Sequence, residues 1–105
     1  MTHLESITRK IVTLDEAKQI VAEWKTAGEK IVFTNGCFDI IHKGHVSYLA
    51  KARDLGTKLI LGLNTDESVK RLKGANRPVK ELESRALTVA SFEYIDLVIP
   101  FSEDT

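Results

Sequence analysis

The sequence has little of what would fasten a protein outside a cell or onto a polyanion. Cys37 is the only cysteine in 105 residues, which excludes an intrachain disulfide and a multi-cysteine metal cluster and fits a reducing compartment. Charge of one sign is also missing: fifteen basic and fifteen acidic side chains cancel. No global field would therefore gather nucleic acid or an anionic membrane, so any anion must be held locally. Long apolar runs are absent as well. The N-terminus carries Glu5, Arg9 and Lys10 without an apolar core, so it reads neither as a secretory signal nor as a membrane span. The expected location is cytoplasmic. With 43% hydrophobic and 29% charged residues and no low-complexity tract, the composition is that of one folded globular domain. The length suffices for a single core but is short for a complete doubly wound sheet.

What is present is an alternation of helical and strand patterns. Thr13 and Glu16 have capping-box spacing, and Leu14, Ala17, Ile20, Val21 and Trp24 recur at helical intervals before Gly28, predicting an amphipathic helix with Trp24 on its apolar stripe. Residues 30–34 read as a buried strand broken by Asn35 and Gly36. Residues 43–55 then suit a helix closed by Gly56, and 58–63 a second buried strand, together one βαβ unit. Asn64, Thr65 and Asp66 are turn and N-cap types ahead of a short helix through Leu72, with Asp66 equally suited to capping or to ligand contact. Residues 74–78 read as a loop, 81–92 as a helix, and 95–99 as a third strand ended by Pro100, before an acidic loop-like stretch to Thr105. His3 reads as tail.

Unbroken strands alternating with helices predict an α/β, Rossmann-like parallel sheet with helices on both faces and right-handed crossovers. Ligands of such sheets sit beyond the carboxyl ends of the strands, which singles out residues 34–45 and 64–66. In the first of these, Gly36 permits close backbone approach where the chain leaves the sheet, and the next helix offers free N–H groups to an anion. His42 and His45 stand three apart, so on a helical turn they share a face and can grip neighbouring oxygens of one polyphosphate. Gly44 between them leaves space for phosphate or base. Asp39 reads as a helix cap at least as readily as a substrate contact, and Cys37 as a small packed residue. No metal site is expected, because two histidines lack a third ligand.

The stretch Gly36-x-Phe38-Asp39-x-x-His42-x-Gly44-His45 resembles the signature of the cytidylyltransferase-like nucleotidyltransferases. Gly62 to Ser68, Arg71 to Gly74, Asn76 to Val79 and Glu83 to Arg85 are similar to one branch, the adenylyltransferase domain of bacterial ADP-heptose synthases, itself similar to glycerol-3-phosphate cytidylyltransferases. The resemblance implies a HUP-type fold and transfer of AMP from ATP, with Mg²⁺, to a heptose 1-phosphate. Pyrophosphate would leave, and ADP-heptose would serve lipopolysaccharide core synthesis. It assigns Asn35, Gly36, Cys37, Phe38, His42, Gly44, His45 and Asp66 to the nucleotide. His42, His45 and Lys73 become the catalytic candidates, and Lys73, Arg77 and Arg85 the candidates for the sugar phosphate and pyrophosphate. The family's domain continues with further strands and a serine/threonine-rich phosphate motif, so residues 1–105 are expected to form one C-terminally incomplete domain. Pairing as a homodimer is also implied. A cytidylyltransferase using CTP with glycerol 3-phosphate, and a catalytically silent nucleotide-binding module, stay open.

Overall fold

The computed structural model describes residues 1–103. Three strands, β1 (Ile31–Gly36), β2 (Lys58–Asn64) and β3 (Leu97–Phe101), form one parallel sheet in the order β1-β2-β3. Between β1 and β2 lies α3 (Lys43–Arg53), and between β2 and β3 lie α4 (Asp66–Lys73) and α5 (Leu82–Ala90). Two helices precede the sheet, α1 (His3–Thr8) and α2 (Leu14–Thr26).

Strand periodicity divides the core in two. Leu59, Leu61 and Leu63 of β2 and Val98 of β3 point to one face, where Leu49 of α3 and Ala86, Val89 and Ala90 of α5 cover them. Ile60, Leu97 and Ile99 point to the other, against Ala17 of α2 with Ile20, Val21 and Trp24 packed alongside. The expected α/β sandwich with helices on both faces is thus observed. Trp24 is part of this second core, with Lys58 Nζ 5.3 Å from its ring centroid.

The Thr13 capping box forms as its spacing predicts: Thr13 Oγ1 accepts from the Glu16 N–H, and Glu16 Oε1 from the Thr13 N–H. Several boundaries differ from expectation, among them α3, which ends at Arg53. His3 opens a helix instead of lying in a tail, because Thr2 and Glu5 make a second capping box. β1 runs on through Asn35 and Gly36, which pair in register with Gly62 and Leu63 of β2. The helix expected over 81–92 is shorter, Leu82–Ala90. β3 starts two residues late and passes through Pro100. Proline is admissible there because, among the described residues, β3 has only the isolated Ile11–Val98 bridge on its outer side. The N–H and C=O of Val98 face outward to Lys10 O and Val12 N, so Pro100, two residues on, lacks its donor on that same outer side. Of the acidic terminal stretch, Asp104 and Thr105 lie outside the described residues.

Candidate functional site

The carboxyl end of β1 opens on a cavity of about 380 Å³ lined by residues including Gly36, Cys37, Phe38, His42, His45, Lys73 and Arg77. It lies where the parallel sheet predicts a ligand. Its floor is built by an unusual cap. His42 is the N-cap of α3, and its Nδ1 accepts the N–H of Gly44 at 3.0 Å. His45 replies: its Nδ1 accepts the N–H of His42 at 3.2 Å. The two imidazoles perform the reciprocal exchange normally made by Ser/Thr and Glu.

This exchange fixes the chemistry of both rings. An Nδ1 that accepts a hydrogen bond carries no proton, so each neutral ring carries its proton on Nε2, which becomes a donor available to a ligand. The ring centroids are 4.1 Å apart at an interplanar angle of 40°, so the pair acts on one small target. Burial, and then the neighbouring charge of His42, hold the His45 pKa below its usual value. Both effects favour the neutral donor tautomer that the cap requires.

Both glycines of this stretch lie against aromatic rings. A Cβ on Gly44 would lie 2.7 Å from His42 Cε1, so the absent side chain makes room for the capping imidazole. A Cβ on Gly36 would lie 2.6 Å from Phe38 Cε2, so the missing side chain lets the Phe38 ring lie against a backbone that still lines the cavity. Phe38 reaches this position through a left-handed backbone, φ 44°, and its buried ring meets the edge of His45 at 5.4 Å.

Three polar assignments are corrected. Asp39 does not cap α3, a role His42 fills; its carboxylate turns away to the 77–80 segment and accepts from Arg77 Nε, Val79 N and Lys80 N. Burial by itself would raise the Asp39 pKa, but these three donors outweigh it and hold the carboxyl below its usual value. Asp66 is not the N-cap of α4, since Thr65 Oγ1 accepts the Ser68 N–H; it pairs with Arg85 at 2.7 Å. Arg85, expected to meet phosphate, is wholly buried and donates to Lys80 O, Cys37 O, Asn64 O and Asp66 Oδ1. A guanidinium so engaged ties the loop after β1 to the end of β2 and the starts of α4 and α5.

Lys73 and Arg77 line the cavity with the histidines. Asn35, the last residue but one of β1, is exposed and is not among the cavity's lining residues, and Cys37 is a half-buried free thiol. Sequence reasoning missed Tyr48, which lines the cavity one helical turn after His45 and shares a hydrogen bond of 2.9 Å with Thr34 Oγ1. The signal was its spacing of three from His45. Among the described residues no group of three metal-ligating side chains occurs, and both Asp39 oxygens are taken by protein donors. No helix among the described residues is long and apolar enough to cross a membrane.

The chain is 54% identical over 103 residues to the bifunctional protein HldE of Actinobacillus pleuropneumoniae serotype 5b (strain L20), covering 98% of this chain and 22% of that protein. Bifunctional protein HldE of Magnetococcus marinus is 54% identical over 96 residues, covering 91% and 20%. The chain thus spans about a fifth of the length of these relatives. Among solved structures, the lipopolysaccharide core biosynthesis protein from Thermoplasma volcanium GSS1 superposes with a TM-score of 0.63 at 26% identity, over 70% of this chain and 58% of that one. The family model described as cytidylyltransferase-like matches residues 33–105, from the middle of β1 onward and across the whole cavity. The chain belongs to the cytidylyltransferase-like family.

Proposed function

We propose that this chain is a nucleotidyl-transfer module that moves AMP from ATP to a sugar 1-phosphate, a heptose 1-phosphate in the reading closest to its relatives. The observation that carries this is the reciprocal His42–His45 cap, which leaves two Nε2–H donors beside one cavity that also holds Lys73 and Arg77. In the reaction an oxygen of the sugar phosphate attacks the α-phosphorus. One P–O bond forms there, the bond to the β-phosphate breaks, and its electron pair leaves with pyrophosphate. Such transfer needs positioning and charge stabilisation rather than a protein nucleophile. The imidazole donors are pre-aimed at one end of α3, whose N-terminal dipole also favours anions, so they stabilise growing negative charge without rearranging. Lys73 and Arg77 neutralise the remaining phosphate oxygens. Mg²⁺, when present with the triphosphate, would supply charge neutralisation.

The test is pyrophosphate release by the full natural polypeptide with ATP or CTP and heptose 1-phosphate or glycerol 3-phosphate. ATP with heptose 1-phosphate is expected to be preferred. A clear preference for CTP, which the family's own description favours, would transfer the assignment to a cytidylyltransferase. Tight nucleotide binding without turnover on any acceptor would make it a binding module instead.

A further inference from the structure

Asp39 sits in the bend between β1 and α3, outside the imidazole pair, and its side chain is only 3% exposed. Oδ2 accepts from Arg77 Nε and from the Val79 N–H, each at 2.8 Å, and Oδ1 accepts from the Lys80 N–H at 2.8 Å. A buried carboxylate is costly unless its lone pairs are satisfied, and here all three donors come from one short segment far along the chain. That segment has little else to hold it. Arg77 N–H bonds locally to Gly74 O, and Arg85 Nε holds Lys80 O; residues 74–76 are exposed loop.

The consequence falls on Arg77. Its Nε is committed to Asp39, while Nη1 and Nη2 have no partner among the described residues, and the side chain lines the cavity with His42 and His45. Two parallel N–H donors on a rigid guanidinium match two oxygens of a phosphomonoester. We propose that Asp39 is a positioning residue: by gripping Arg77 through Nε it presents the terminal nitrogens of Arg77 to the phosphate of the acceptor substrate, opposite the imidazoles that hold the nucleotide. This rests on the nucleotidyl-transfer reading and adds a division of labour to it. The imidazole cap serves the nucleotide, and the Asp39–Arg77 pair selects a phosphorylated acceptor.

Asp39→Asn in the full natural polypeptide keeps the side-chain size but replaces one acceptor oxygen with a donor that faces other donors. The KM for the acceptor phosphate is expected to rise by about tenfold or more while that for ATP stays within about twofold, a split that general loosening of the fold does not give. Hydrogen exchange at the Val79 and Lys80 amides should quicken. In an Arg77→Ala background, Asp39→Asn should add nothing further to the acceptor KM, because its effect passes through Arg77. Should Asp39→Asn fail to fold, Arg77→Lys, which keeps the charge but loses both the Nε grip and the fork, is expected to show the same split. Equal rises in both KM values, or faster amide exchange with an unchanged acceptor KM, would overturn the proposal. If the unaltered protein turns over no nucleotide, the transfer reading fails by itself. Binding of inorganic phosphate to the nucleotide-loaded protein then decides, and equal affinity in the original and Asp39→Asn proteins would refute the positioning role.

Discussion

Replacing Arg85 separates a clamp from a ligand contact. Arg85→Met retains most of the stem and removes four hydrogen bonds, to Lys80 O, Cys37 O, Asn64 O and Asp66 Oδ1. The Asp66 side chain is 43% exposed, so water can take over there and little is lost at that partner. The three carbonyl oxygens matter more, since a buried acceptor deprived of its donor costs about 1–3 kcal/mol. Against this, relief from burying the guanidinium charge returns part of the loss. A net destabilisation of about 3 kcal/mol follows, and at about 4–8 °C per kcal/mol for a domain of this size Tm should fall by about 12–24 °C. Arg85→Lys should do no better: one ammonium cannot span four acceptors, and a charge stays buried. Thermal unfolding followed by circular dichroism measures this, with ATP titration calorimetry on the same samples. A Tm within about 3 °C of the original combined with lost ATP affinity would refute the clamp and restore Arg85 to the substrate.

Gly44→Ala should displace the His42 ring, since the new Cβ would lie 2.7 Å from Cε1. The lost cap costs about 1 kcal/mol, and the gain in helix propensity of about 0.5–1 kcal/mol nearly offsets it. Melting should therefore barely change, while nucleotide affinity measured by calorimetry falls by about tenfold or more. Gly56→Ala would put a Cβ 2.5 Å from Lys30 O, the carbonyl that accepts from Thr57 N and Lys58 N, and denaturant unfolding should show a loss of about 1–3 kcal/mol. For pH, the lowered pKa of His45 means the fold binds this proton less readily than the unfolded chain. The stability it contributes is complete above the unfolded value of about 6.5 and is lost as pH falls through the folded value. The lowered carboxyl of Asp39 acts likewise below about 4. Denaturant midpoints of the ligand-free protein should therefore decline in two steps on acidification, and His45→Gln should remove only the first.

The architecture was legible because it is written in local periodicities. Continuous apolar runs marked β1 and β2, and the capping pair Thr13–Glu16 marked α2; each depends on residues within a few positions of one another. The cavity was legible too, since His42, Gly44 and His45 are neighbours in sequence and the sheet's topology says where they must point. What escaped was every role set by a distant partner. Asp39 carries the composition of a helix cap, and only the return of the 77–80 segment makes it a tether. Arg85 has the look of a phosphate ligand until the end of β2 and the loop after β1 close around it. Pro100 looked like the end of a strand because whether proline breaks a ladder depends on which side of the sheet is paired, and the pairing of Ile11 with Val98 lies beyond any local pattern.

The sheet's two margins are unlike. One is blunted by that Ile11 bridge and by a proline that cannot donate; the other, β1, has no strand beside it among the described residues, and Phe33 there is 59% exposed. The margins therefore offer a further strand different partners: unbridged backbone along Ile31–Gly36 on one side, and on the other a margin already bridged at Val98 and lacking a donor at Pro100. Arrival of a strand beside β1 would turn it from border to midline, and the histidine cavity at its tip would then lie at the centre of a broader platform.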